Sequence, residues 1–232
     1  GINKRGWKYV SWCSDNPDHH EDTHSLYGAH NFIIVSGKEL FGAFFDYPGR
    51  LTFDIGYTKI NEMSVHAERN NLAVYIITGE NEKDITKQFR RLIGRSYIPP
   101  MWAFGYGQSR WGYQNEQDIR IVAEKYKERE IPLDSIYLDI DYMERYKDFT
   151  VDKNRFPDLE KLTADMKTQG IHLVPIIDAG VKIEEGYDVY EEGVKNNYFC
   201  KNENMEDFVG AVWPGRVHFP DFLNSDAREW FG

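Results

Sequence analysis

Cysteine is scarce. The chain holds two, Cys13 and Cys200, which form no CxxC pair and match no metal-ligand spacing, so a zinc module or a disulfide framework is excluded. Both are expected as free thiols of a reducing compartment, and a cytoplasmic location is the matching expectation. Long apolar runs are missing too. None approaches the roughly 18 residues that a membrane-spanning helix needs, so no membrane partner is expected. Basic charge is also short: 28 Lys and Arg stand against 38 Asp and Glu, a formal net charge of -10. With no long basic run, a nucleic-acid surface is excluded, and an acidic groove suits a neutral or cationic ligand better than a phosphate. No secretory leader is visible. The chain begins at Gly1 without Met and runs straight into strand-like sequence, so its natural N-terminus is expected to lie upstream.

Aromatics are plentiful at 15%, with 15 Tyr, 14 Phe and 6 Trp. Most are expected in cores, but aromatic faces also stack on the C–H faces of sugars. From Trp7 to about Ile77 the pattern is all-β. Runs such as Asn31–Val35, Leu40–Phe45, Leu51–Ile55 and Leu72–Ile77 are separated by turn formers: Ser36-Gly37, Pro48-Gly49, Asn70-Asn71 and Gly79. That spacing predicts part of a β-sandwich over residues 1–80. A linker helix is expected over 81–98, with Ile85, Phe89, Leu92 and Ile93 on one stripe and Gly94 closing it. Pro99-Pro100 marks the boundary.

After the boundary the period changes. Trp102–Gln108, Ile136–Ile140 and Leu173–Ile177 read as strands. The two helices between them have stripes at Ile119, Val122, Ala123 and Tyr126, behind an Asn115 cap, and at Leu159, Leu162 and Met166, ended by Gly170. This βαβαβ order predicts a parallel sheet, the opening of an α/β (β/α)8 barrel over 99–232. The stretch from Lys182 to His218 reads as an irregular insertion after the third strand.

Each apolar strand ends in polar groups: Gln108 and Arg110, then Asp139 and Asp141, then Asp178. In a parallel barrel those ends share one face, where active sites lie. Asp139 and Asp141, two apart, would point to the same side of a strand, about 6.6 Å apart. Asp139 and Asp178 would end neighbouring strands, about 4.8 Å apart. Retaining glycosidases hold their two carboxyls about 5–5.5 Å apart, so spacing alone admits this couple as nucleophile and acid. The crowd of His19, His20 and His24 with Asp18, Glu21 and Asp22 is expected to be a solvated loop, not a metal site. His172 and His218 are expected to be structural.

The segments PPMWAFGYGQSRWGY (99–113), SIYLDIDYMERYKDFTVDKNRFPD (135–158), HLVPIIDAGV (172–181) and AVWPGRVHFPDFLN (211–224) resemble successive barrel motifs of glycoside hydrolase family 31. SLYGAHNFIIV (25–35) resembles the domain before the barrel in bacterial α-glucosidases of that family. The resemblance implies a retaining, exo-acting α-glucosidase that takes terminal α-linked glucose from a small oligosaccharide of maltose or isomaltose type, without a cofactor or metal. It makes Asp139 the carboxylate for the sugar's far hydroxyls and Ile140 the apolar contact beside it. Ile176 and Asp178 become the third-strand wall, Trp213 a pocket tryptophan, and Asp15 the acid of the preceding domain that reaches the barrel mouth. Trp111 is a further candidate to face the sugar. The family's nucleophile lies in a W-x-D-M-N-E type motif that residues 1–232 do not contain. Neither catalytic carboxylate is therefore expected in this chain, and the Asp139–Asp178 couple becomes a binding pair. An α-xylosidase, a transglucosidase and a non-catalytic glycan-binding protein are the alternatives.

Overall fold

A computed structural model describes residues 3–23 and 25–232; His24 of the histidine-rich loop lies outside the described residues. The chain divides into two compact units, Gly1–Tyr97 and Ile98–Gly232.

In the first unit, β1 (Trp7–Ser11), β4 (Leu51–Ile55) and β5 (Met63–Ala67) form one antiparallel sheet in the order β1-β4-β5. A second, in the order β2-β3-β6, is built from β2 (Phe32–Ser36), β3 (Leu40–Asp46) and β6 (Ala73–Thr78). Side chains alternate along a strand, so Ala43 and Phe45 leave β3 on one side and, with Tyr47 just beyond it, join Leu51 and Phe53 of β4 in a single core. Phe45 meets the edge of Phe53 at 5.3 Å, and Tyr9 stacks on Phe53 at 5.1 Å.

The other face of β3 carries Gly42 and Phe44. Here α1 (Glu82–Ile93) docks, capped by the Asn81 side chain accepting from Asp84 N–H. Ile85 is fully buried, and Phe89 stacks on Phe32 at 3.9 Å. A Cβ at Gly42 would stand 2.7 Å from Ile85, so a glycine is what lets the helix sit this close. Two covered faces explain why Leu40–Phe45 reads as unbroken apolar sequence. They also account for how the expected helix packs. Its stripe is anchored on the sheet of the first unit through Ile85 and Phe89, whereas Leu92 and Ile93 stay about half exposed at 48% and 55%.

The second unit contains a parallel sheet in the order β7-β8-β9, formed by β7 (Gly107–Gln108), β8 (Ser135–Tyr137) and β9 (His172–Val174). The crossover helices are α2 (Glu116–Glu128) and α3 (Leu159–Thr168), N-capped by Asn115 and Asp158. Ile119 and Ala123 of α2, Leu162 and Met166 of α3, and Ile136 and Leu138 share one core with Phe156. Arg120 ties the helices together, at 2.6 Å from Glu116 and 2.8 Å from Asp165. The first parallel strand is shorter than Trp102–Gln108. Met101–Phe104 forms a 3-10 turn closed by Gly105 N–H on Trp102 C=O, and Trp102 stacks on His172 at 4.1 Å.

The expected irregular insertion is ordered. β10 (Val181–Lys182), α4 (Asp188–Lys195), β11 (Gly210–Val212) and β12 (Gly215–His218) give an antiparallel sheet in the order β10-β12-β11 beside a short helix. Its core is Val181, Tyr187 and Phe199. The helix escaped sequence reading because it has eight residues, no side-chain N-cap bond and a buried Gly193 that lets it lie against Phe199. The chain closes with α5 (Ser225–Phe231).

Candidate active site

The carboxyl end of β8 is held by Leu138 N–H donating to Val174 C=O at 3.0 Å. The next residue, Asp139, takes φ 56° and ψ -161°, a region that L side chains avoid and that costs roughly 1–3 kcal/mol. Its carboxylate accepts from Ile140 N–H at 2.7 Å, which fixes the distorted corner. Arg145, Tyr146 and Phe149 in the same loop also have positive φ, at 52°, 62° and 60°. Backbone strain of this density persists only where surrounding contacts enforce it.

Those contacts come from the end of β9 and from the insertion. Tyr142 donates its hydroxyl to Ile176 C=O at 2.8 Å, Asp178 N–H donates to Asp148 Oδ1 at 3.1 Å, and Tyr187 donates to Asp148 C=O at 2.8 Å. Lys147, 6% exposed, lies 3.2 Å from Glu184 and 3.3 Å from Glu144. Glu184 also holds Arg145 and stands 3.1 Å from Lys182. Burial pushes the Glu184 carboxyl up, but hydrogen bonds from Lys182 and Lys147 outweigh it and hold the group below its ordinary value.

Asp139 follows β8 and Asp178 follows its parallel neighbour β9, near enough for the charge of one to act on the other. Asp178 is held above its ordinary value by burial and then by the charge of Asp139. Asp148 is raised to about 6, first by burial and further by Asp178, with the Asp178 N–H acting the other way. Burial and the charges of Asp148 and Asp178 push Tyr142 up to about 12. The expected alignment of Asp139 with Asp141 fails. The strand stops at Tyr137, Ile140–Tyr142 is a 3-10 turn capped by Asp139, and Asp141 is buried 3.5 Å from Arg155.

Ile140 is buried, whereas Ile176 is 36% exposed beside Asp178. Trp213 sits in the β11–β12 turn and is 68% exposed. Val212 next to it lies 2.5 Å from where a Cβ on Gly180 would be, so that hairpin packs on the segment just past Asp178. Trp111 is also 68% exposed, on the loop after β7, and its C=O accepts from Arg110. Gln108 is engaged by three tyrosines: its Oε1 accepts from Tyr106 at 3.1 Å and Tyr126 at 2.5 Å, and its Nε2 donates to Tyr113 at 3.1 Å. Asp15 belongs to the first unit and is exposed beside Tyr27, whose hydroxyl is pushed up by partial desolvation and by this carboxylate. His172 serves in the Trp102 stack, and His218 Nδ1 lies 2.8 Å from Phe208 C=O. Sequence reasoning missed Asp148 and Glu184. Asp148 had a signal, its place in the DFT triplet, but its burial depends on partners 30 and 39 residues away.

A parallel βαβαβ unit with carboxylates gathered at successive strand ends is the architecture of (β/α)8-barrel enzymes. Residues 96–232, more than half of the chain, match the family 31 TIM-barrel domain of the glycosyl hydrolases, and the chain belongs to that family. It is 43% identical over 233 residues to Alpha-glucosidase 2 of Bacillus thermoamyloliquefaciens, covering all of this chain and 30% of that protein. The crystal structure of a DNJ-bound glucosidase II alpha subunit superposes with a TM-score of 0.81 at 28% identity, over 97% of this chain and 26% of the other. A family 31 alpha-glucosidase from Bacteroides thetaiotaomicron gives 0.79 at 29% identity, over 97% of this chain and 38% of the other. The chain thus spans between 26% and 38% of the length of these relatives.

Proposed function

We propose that this chain supplies the sugar-binding side of a retaining, exo-acting α-glucosidase that removes terminal glucose from small oligosaccharides. Asp139 and Asp178 bind sugar hydroxyls, Ile140 and Ile176 shape the apolar wall beside them, and Trp213 and Trp111 offer aromatic faces. The nucleophile and the acid/base come from later strands of the barrel. Hydrolysis then runs by double displacement through a glycosyl-enzyme, and these residues contribute orientation of the sugar. The first unit is read as the β-sandwich that precedes the barrel, its two sheets sharing one core.

The observation that carries the reading is the acidic pair at neighbouring parallel strand ends, with Asp139 held in a conformation that costs stability. That cost is intelligible where a carboxylate must be aimed at a ligand. The test compares the complete enzyme with residues 1–232 alone on a chromogenic α-glucoside and the matching α-xyloside. Turnover of the glucoside by the complete enzyme only is the expected result. Preference for the xyloside would point to the sister activity. Comparable turnover by residues 1–232 would make Asp139 and Asp178 the catalytic pair and sink the assignment.

A further inference from the structure

We propose that Asp148 is a positioning residue for the sugar-binding end of β9: its carboxylate holds the backbone of Asp178 in register with Asp139 and thereby sets substrate affinity. The inference rests on the functional reading above, in which Asp139 and Asp178 bind the sugar.

Asp148 is 1% exposed. One of its oxygens accepts from Asp178 N–H at 3.1 Å, and the other is buried with no hydrogen-bond partner. Its main-chain oxygen accepts from Tyr187, so the residue is fastened between the β8 loop, the β9 end and the start of α4. The titratable groups that face it are Asp178 from β9, Tyr142 from the turn after β8 and Tyr187 from the insertion. The neighbouring Lys147 is turned to Glu144, Glu184 and the Tyr187 ring instead. Among the described residues no cation pairs with the buried carboxylate, and none of its three facing groups carries a positive charge.

Such a group opposes folding when ionised. Its value near 6 in the folded protein exceeds the roughly 3.9 of an exposed aspartate. Its contribution to stability is fully present below the unfolded value and is lost as pH rises through about 6. Above that pH the protein keeps a costly carboxylate, and what the charge provides is a stronger acceptor for Asp178 N–H, since hydrogen bonds to charged groups exceed neutral ones. A purely structural residue at this place would be served better by an amide. A positioning residue would not.

The experiment compares wild type, Asp148→Asn and Asp148→Ala in the complete enzyme. It measures Tm, and kcat and KM on a chromogenic α-glucoside, from pH 5 to 8. Asp148→Asn is expected to melt at higher temperature than wild type at pH 7.5, with the gap closing towards pH 5. It is also expected to raise KM at pH 7.5 roughly fivefold, the ratio of a charged to a neutral acceptor, with kcat changed less. Wild-type KM is expected to rise as pH falls through about 6, where Asp148 takes up its proton, and that rise should flatten in the variant. Asp148→Ala, with no acceptor, should raise KM further, so that Asn is a partial rescue. Wild-type KM and pH profile in Asp148→Asn, or equal KM in the Asn and Ala variants, would overturn the proposal while leaving the functional reading intact. A lower Tm for Asp148→Asn at pH 7.5 would overturn the uncompensated carboxylate. A wild type that turns over no α-glucoside would instead remove the functional reading, and this inference with it.

Discussion

Asp139 offers a perturbation in which stability and activity separate. Its φ of 56° and ψ of -161° are natural for glycine and cost any other residue roughly 1–3 kcal/mol. Its carboxylate recovers part of that through the 2.7 Å bond from Ile140 N–H. Asp139→Ala keeps the strain and loses the bond. Asp139→Gly loses the bond and the strain together, against an extra backbone entropy cost of about 0.5–1 kcal/mol. The glycine variant should therefore be more stable than the alanine variant by about 1–2 kcal/mol. At roughly 2–4 °C per kcal/mol for a domain of this size, thermal unfolding resolves the difference. Kinetics should not follow stability. With the binding role proposed for Asp139, each variant would remove a charged hydrogen bond to the sugar, worth roughly 1.5–3 kcal/mol, so kcat/KM on maltose should fall at least about tenfold in both. An alanine variant as stable as the glycine variant would refute the strain argument. Wild-type kcat/KM in either would refute the binding role.

Glu184→Gln should destabilise the protein by roughly 1–3 kcal/mol, because Lys147 stays buried with one weaker partner. Glu184 is held below its ordinary value, so its contribution is present above roughly pH 4.3 and lost as pH falls through the folded value. Acid unfolding of the glutamine variant should lack that slope, and an identical slope would count against the network. Gly193→Ala should cost roughly 1–3 kcal/mol by overpacking against Phe199, and an unchanged Tm would show that the ring can move. Crystals with bound glucose should place Trp213 atoms within about 4.5 Å of the sugar; a tryptophan farther away would be an ordinary surface residue.

Local sequence determined the elements whose physics is local. Asn115 caps α2 because its side chain reaches an N–H three residues on, and Gly94 and Gly170 end helices with φ of 96° and 79°. Apolar runs without polar alternation announced parallel strands, and β8 and β9 pair in that sense. The motif order was enough to mark the family. Tertiary structure alone decided the rest. Period-two reasoning put Asp139 and Asp141 on one side, but the chain turns at Asp139 and sends Asp141 to Arg155, 14 residues away. α1 became part of a core because Gly42 left room for Ile85. Asp148 is a surface aspartate by composition and a buried one by position, since the groups that enclose it arrive from β9 and α4. Periodicity reports what a residue does to its own turn or strand. Burial, strain and charge compensation depend on what long loops bring back, and sequence spacing carries no distance for that.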